Sequence, residues 1–402
     1  MLKKVKLPYG FQDFLPDECL GKDILEQSLA KLYRSYGYLK VETPTMEYYD
    51  TFHDVYRPDK LKKVFKLTDS DGSLLALRPD ITLQICRMAS GRESKYPNRF
   101  FYSENSFEYQ ENRDTARTRE FSQTGIELLG DTGIDGEVEI ISLAIESFLK
   151  AGLERFTVEI GNNDFFKGLV KESALSDEDT AELTELINKK DELGLEIFLQ
   201  QKKVSERLCS CLLMLPSLFG GEEVLEKAKS LENSLSASAA LDHTYRLYTL
   251  LKKRGYAPFI SLDLGLLHGL NYYSGLVIRG YSSDYGLCLL DGGRYDGICP
   301  SFGYKSGAVG FAIGTKRLLS ALDELGKLQK APPCDVAYIS DGTNETEEHS
   351  YFGSMREAGA SVVKLFMRSR SELVDYCREL GVKRAYVLEK GKIEEIAVGG
   401  RS

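Results

Sequence analysis

The chain has 402 residues, enough for two or three domains, and its 42% hydrophobic and 28% charged residues allow a buried core without disulfide staples. Asp and Glu number 61 against 52 Lys and Arg, and the net charge of −9 argues against a generally basic, nucleic-acid-binding surface. No stretch is long and apolar enough to span a bilayer, and Met1-Leu2-Lys3-Lys4-Val5-Lys6 lacks the apolar run of a signal peptide, so the expectation is a cytoplasmic chain without membrane contact. The eight cysteines are scattered, with only Cys209 and Cys211 close, and the four histidines (His53, His243, His268, His349) are dispersed. Neither pattern suits a metal site, and the expectation is free thiols in a reducing cytosol.

Residues 7–19 read as an opening loop punctuated by Pro8, Gly10 and Pro16. Over 21–36, Ile24, Leu25, Leu29, Leu32 and Tyr33 recur at helical spacing, and Gly37 ends the helix. Tyr38-Leu39-Lys40-Val41 alternates as a strand closed by Pro44. In 64–78 two apolar runs flank the turn Asp69-Ser70-Asp71-Gly72, which predicts a hairpin. A helix is expected over 81–92 and strands near 100–109, 120–129 and 156–161. The layout is α+β, a mostly antiparallel sheet with helices against it. Residues 165–255, rich in Glu, Lys, Leu and Ala, read as a helical insertion, with Leu183, Leu186, Ile187 and Leu193 at helical spacing. Sheet character returns over 258–298, and 312–325 is helical. Pro332-Pro333 marks a boundary, and Asp335 to Val398 has a βαβαβ rhythm, a small α/β domain with parallel strands. The expected domains are 1–325 and 333–402.

Four stretches carry chemistry. Leu77-Arg78-Pro79-Asp80-Ile81-Thr82 places a carboxylate and a hydroxyl at a helix start. That pair can hold an ammonium, although Asp and Thr are also what a helix N-terminus favours. Phe107-Glu108-Tyr109-Gln110 leads to Arg117-Thr118-Arg119-Glu120-Phe121-Ser122-Gln123. Gln123 and Glu127, four apart in an expected strand, share a face. A glutamine both donates and accepts, and a glutamate accepts from an imidazole N–H; half-buried polar strand residues look the same. His268-Gly269-Leu270-Asn271-Tyr272-Tyr273 follows, where a lone histidine is more often structural than catalytic. Last come Gly292-Gly293-Arg294-Tyr295-Asp296 and Gly307-Ala308-Val309-Gly310, with Arg317 on the helix beyond.

In this order and spacing, over about 7–325, the four stretches resemble the class II aminoacyl-tRNA synthetases, most closely the histidyl-tRNA synthetases. The resemblance implies that Asp80, Thr82, Gln123, Glu127 and Tyr273 match histidine-contacting positions, and that Arg117, Arg119 and Arg317 match basic motif positions. It also exposes departures. Glu108 stands where the family has an arginine gripping the ATP α-phosphate and the amino-acid carboxylate, and Gln110 stands where a glutamate follows. His268 replaces a second arginine regarded as catalytic, and Asn271 replaces an aspartate. An always-charged guanidinium fork suits oxyanions, whereas a carboxylate repels them.

The same fold is shared by the regulatory subunits of ATP phosphoribosyltransferase, which serve the first step of histidine biosynthesis. Loss of both arginines with retention of amino-acid contacts fits these better. That resemblance implies a non-catalytic chain with no cofactor, a short-form catalytic subunit as partner, a homodimer, and histidine as feedback effector. The 333–402 segment resembles a shortened anticodon-binding domain. The competing readings are an active histidyl-tRNA synthetase, or an amino-acid-ligase paralogue, and either needs another cation for the missing arginines.

Overall fold

The computed structural model describes residues 6–91, 97–109, 118–130, 132–171, 173, 175–231, 235–270, 272–328, 333–367 and 369–398. The chain divides into two compact units. One holds the residues up to Phe14 with Lys22–Leu328, and the other holds Leu15–Gly21 with the chain from 329 onward.

The first unit is built on a nine-stranded sheet. Its strand order is Leu39–Lys40, Asn98–Phe107, Glu120–Leu129, Ala308–Gly314, Cys288–Arg294, Leu276–Ser282, Phe156–Asn162, Ile260–Asp263 and Phe219–Gly220. Leu39–Lys40 runs parallel to Asn98–Phe107, as Phe156–Asn162 does to Ile260–Asp263, and the other neighbours are antiparallel. Glu120–Leu129 is buried continuously from Thr124 to Leu129, because helix Gly133–Ala151 supplies Val138, Ile141 and Phe148 to the main core. The helix Pro16–Ser35 starts earlier than its periodicity suggested. Leu25, Leu29 and Tyr33 are buried as expected, while Ile24 stays exposed.

The hairpin pairs Lys66–Thr68 with Leu74–Leu77, and Met46–Tyr48 joins as a third strand. The insertion is helical from Asn163–Lys171 through Asp177–Asn188, Glu192–Gln201, Glu206–Met214 and Glu223–Leu231 to Leu235–Lys253, interrupted by the two-residue strand Phe219–Gly220. Ser176 opens one of these helices with a capping box, accepting from the Asp179 amide while the Asp179 carboxylate accepts from the Ser176 amide.

In the second unit Val336–Ser340 lies between Val362–Lys364 and Arg384–Glu389, all parallel. A fourth strand absent from the sequence reading, Lys392–Ile396, folds back antiparallel on Arg384–Glu389. The turn between them puts Lys390 at φ 51° and Gly391 at φ 69°, and two successive positive φ values are what a tight hairpin turn requires. A lysine at the first position hides that turn from sequence.

The expectation of eight free thiols needs correction. Cys86, on helix Thr82–Ser90, is disulfide-bonded to Cys299, 213 residues on. Packing of that helix against the short turn Cys299–Phe302 brings them together, which spacing cannot reveal. Among the described residues no helix is long and apolar enough to cross a membrane, and no three His, Cys, Asp or Glu side chains are placed to hold a metal ion.

Candidate functional site

The site lies over the middle of the large sheet, where helix Thr82–Ser90 meets strands Glu120–Leu129 and Ala308–Gly314. The loop before that helix is pinned by Arg78, which is 5% exposed. Its guanidinium pairs with Glu104 at 3.0 Å and donates to the carbonyls of Thr43 at 2.6 Å and Asn105 at 2.7 Å. Such a buried charge is tolerated because it is paired with a carboxylate and hydrogen-bonded to backbone carbonyls. Asp80 follows two residues later. Its Oδ1 accepts the Leu83 amide at 3.1 Å, which is the helix-start role. Its Oδ2 accepts from the Tyr56 hydroxyl and, at 3.3 Å, from the Lys60 ammonium.

Lys60 Nζ also sits 3.9 Å from the ring centroid of Tyr56 and 5.0 Å from that of Tyr272. A carboxylate and two aromatic faces make a cage for a cation. Burial pushes the Asp80 carboxyl up to about 7. The Leu83 amide opposes that rise, since a hydrogen bond to the carboxylate favours the ionised form.

Glu127 lies deeper, at 2% exposure. Thr82 Oγ1 donates to its Oε1 at 2.7 Å and the Tyr295 hydroxyl donates to its Oε2. Burial pushes the Glu127 carboxyl up to about 7, against the lowering effect of these hydroxyls, and the Asp80 carboxylate adds to the rise. Gly310 is the cross-strand partner of Glu127, and a Cβ there would lie 1.9 Å from Oε2, so the carboxylate occupies the space that a side chain would take. Tyr102, Tyr272 and Tyr295 wall the space between the two acids, and burial raises all three phenols well above their usual range, keeping them as neutral donors.

Tyr273 continues the wall, its ring 5.0 Å from that of Tyr272. Its hydroxyl donates to Asp291 Oδ1 at 3.1 Å. The other Asp291 oxygen meets His268 Nε2 at 3.0 Å and Arg279 Nε at 3.3 Å, while Arg279 Nη2 lies 3.0 Å from His268 Nδ1. Burial alone would raise the Asp291 carboxyl, but His268, Arg279 and Tyr273 together hold it below the usual carboxylate range.

The structure thus brings Asp80, Thr82, Glu127 and Tyr273 into one cluster with Tyr56, Tyr272 and Tyr295. Gln123 stands farther along the same strand face, its amide oxygen accepting from Ser106 Oγ at 3.1 Å. Glu108 is paired with Lys63 at 3.2 Å, so the carboxylate at the phosphate-gripping position is tied to the chain itself. Arg119 lies over two rings, 4.9 Å from Tyr9 and 4.5 Å from Tyr109, and its amide donates to the Gly10 carbonyl at 2.7 Å. Gly10, at φ 79°, leaves room for the Arg119 stem, which a Cβ would meet at 2.6 Å. Arg317 Nη1 donates to the Cys288 carbonyl at 3.0 Å. Arg117, Gln110 and Asn271 lie outside the described residues.

Sequence reasoning missed Lys60, Tyr56, Tyr102, Arg279 and Asp291. Arg279 had a signal: it is the one charge in the otherwise apolar and small run Leu276–Ser282, and a charge there needs a partner. Lys60, on the four-residue helix Pro58–Leu61, had none.

Comparison with known proteins agrees with this architecture. The family model for histidyl-tRNA synthetase matches residues 10–318, and the chain belongs to that family. Within it, similar curated relatives carry one description. A protein of Acetivibrio thermocellus is 36% identical over 343 residues, covering 84% of this chain and 82% of the relative. One of Clostridium acetobutylicum is 33% identical, covering 97% of each chain. Both are ATP phosphoribosyltransferase regulatory subunits. A solved structure from Bacillus halodurans, described as an ATP phosphoribosyltransferase regulatory subunit/histidyl-tRNA synthetase, has a TM-score of 0.84 at 27% identity and covers 96% of this chain and 98% of that one. This chain therefore belongs with the ATP phosphoribosyltransferase regulatory subunits. The match over 97% of both chains extends through the C-terminal unit, so that segment is shared with a regulatory relative.

Proposed function

We propose that this chain is the non-catalytic regulatory partner of a short-form ATP phosphoribosyltransferase catalytic subunit in the cytoplasm, that it neither activates histidine nor charges tRNA, and that histidine is its feedback effector in the Asp80–Glu127 space. The observation that carries the reading is Glu108, a carboxylate tied to Lys63 where the family grips phosphate with a guanidinium. Each charge-assisted hydrogen bond of such a grip contributes about 1.5–3 kcal/mol, and a fork makes two. The pocket retains one buried and one half-buried carboxylate, Glu127 and Asp80, with phenolic donors, for an imidazole and an ammonium. Arg279 is the cation a charging enzyme would enlist beside His268, but its donors face Asp291 and His268. Self-association as a homodimer is supported by Leu39, Met46 and Tyr48, which are 68%, 50% and 61% exposed just after the first helix.

The test is co-purification with the short catalytic subunit, followed by phosphoribosyl transfer with and without histidine. The expected result is a rate that rises when this chain is added and falls when histidine follows. A catalytic subunit indifferent to the chain would refute the regulatory role.

A further inference from the structure

The cage that Asp80 makes with Tyr56 and Tyr272 is already filled by a primary ammonium, that of Lys60. Lys60 belongs to a short segment fastened at its far end. Lys63 pairs with Glu108, and the Lys63 carbonyl accepts the Tyr109 amide at 2.7 Å. Just beyond, the Leu77 amide donates to the Phe65 carbonyl at 3.1 Å. The segment therefore crosses from Asp80 to Glu108, with one lysine on each acid.

We propose that Lys60 is an internal competitor for the ammonium group of the pocket's ligand, and that Arg57–Lys63 is a strap, seated on the core by Leu61 and the adjoining Val64, whose Lys60 side chain must leave Asp80 before an amino acid can bind. On this account Glu108 has a second use: by holding Lys63, it anchors the strap whose lysine fills the cage. The inference rests on the amino-acid reading of the pocket and adds its regulation. One carboxylate oxygen and two ring faces cannot serve two ammonium groups at once, because like charges would share one partner. A ligand then binds only the fraction of molecules in which Lys60 has left, and its apparent affinity falls by that fraction. Lys60 and Lys63 are 40% and 50% exposed at the side chain, so their release into water is feasible.

The experiment is calorimetric titration of the full chain, alone and with the catalytic subunit, comparing wild type, Lys60→Met and Lys60→Arg. The probes are L-histidine, histamine (which keeps the ammonium but lacks the carboxylate) and imidazolepropionate (which lacks the ammonium). Thermal unfolding of each variant confirms that it is folded. Lys60→Met is expected to tighten L-histidine and histamine about tenfold or more, to leave imidazolepropionate without gain, and Lys60→Arg to behave as wild type. Equal histidine affinity in wild type and Lys60→Met, with both binding, would overturn the strap alone. An equal gain for imidazolepropionate would also overturn it, because the lysine would then be excluding bulk and not competing for the cage. Absence of histidine binding by every form, alone and complexed, would overturn the pocket reading and the strap with it.

Discussion

Replacing Glu127 with alanine is expected to weaken histidine feedback on the assembled complex while leaving assembly intact. Glu127 is 2% exposed and already orders Thr82 and Tyr295 around the space an imidazole would enter. A carboxylate has about four acceptor positions, and with Thr82, Tyr295 and Tyr102 as donors about one remains for a ligand. A hydrogen bond to a charged group contributes about 1.5–3 kcal/mol, so the inhibition constant should weaken by roughly 10–100-fold. Tyr273→Phe should weaken feedback less, because its hydroxyl is shared with Asp291. Unchanged inhibition in both variants would move the effector site elsewhere.

Glu127→Gln separates charge from shape. The folded chain holds the Glu127 proton up to about pH 7, above the ordinary carboxylate range in which the unfolded chain releases it. Stability from this group is therefore fully present below the unfolded value and is lost as pH rises through the folded one. Glutamine does not ionise and escapes that loss. Thermal unfolding near pH 8 should find the variant more stable by about 1–3 kcal/mol, with the gap narrowing towards pH 5. A gap that does not change with pH would mean that Glu127 titrates normally in the folded chain.

The second large effect concerns Gly310. A Cβ there would fall 1.9 Å from Glu127 Oε2 and 2.4 Å from the Ile126 carbonyl oxygen, and the latter is backbone inside a paired strand. Gly310→Ala should cost about 3 kcal/mol or more and expel the Glu127 carboxylate from its place, so histidine sensitivity and stability are lost together. Gly297→Ala is the control, since Gly297 is exposed and a Cβ there meets nothing within 4 Å; it should stay within about 0.5 kcal/mol of wild type.

The motif carrying Asp80 and Thr82 and the strand carrying Glu127 were legible as site candidates through the resemblance of the four ordered stretches to the histidyl-tRNA synthetases, whereas spacing alone gave a helix start and a shared strand face. The helical insertion and the parallel strands of the C-terminal unit were legible because their residue types and spacing follow the periodicity of those elements. Long-range neighbours were not. Nothing in Pro58–Leu61 announces that Lys60 reaches Asp80, and nothing near Cys86 points 213 residues on to Cys299. The Lys63–Glu108 pair was equally hidden, and it changes the meaning of Glu108 from a bare repulsive charge to a partnered one. Arg279 lay between: its isolation in an apolar strand signalled a buried pair, but only the sheet register, which sets Arg279 opposite Asp291, identifies the partner.

The most direct test of the central claim is histidine-dependent exchange of pyrophosphate into ATP by the purified chain, run beside an active histidyl-tRNA synthetase. With Glu108 bound to Lys63 in place of a guanidinium, no exchange above background is expected at any histidine concentration. Exchange that rises with histidine and saturates would show that an adenylate forms in this pocket, and the chain would be a charging enzyme.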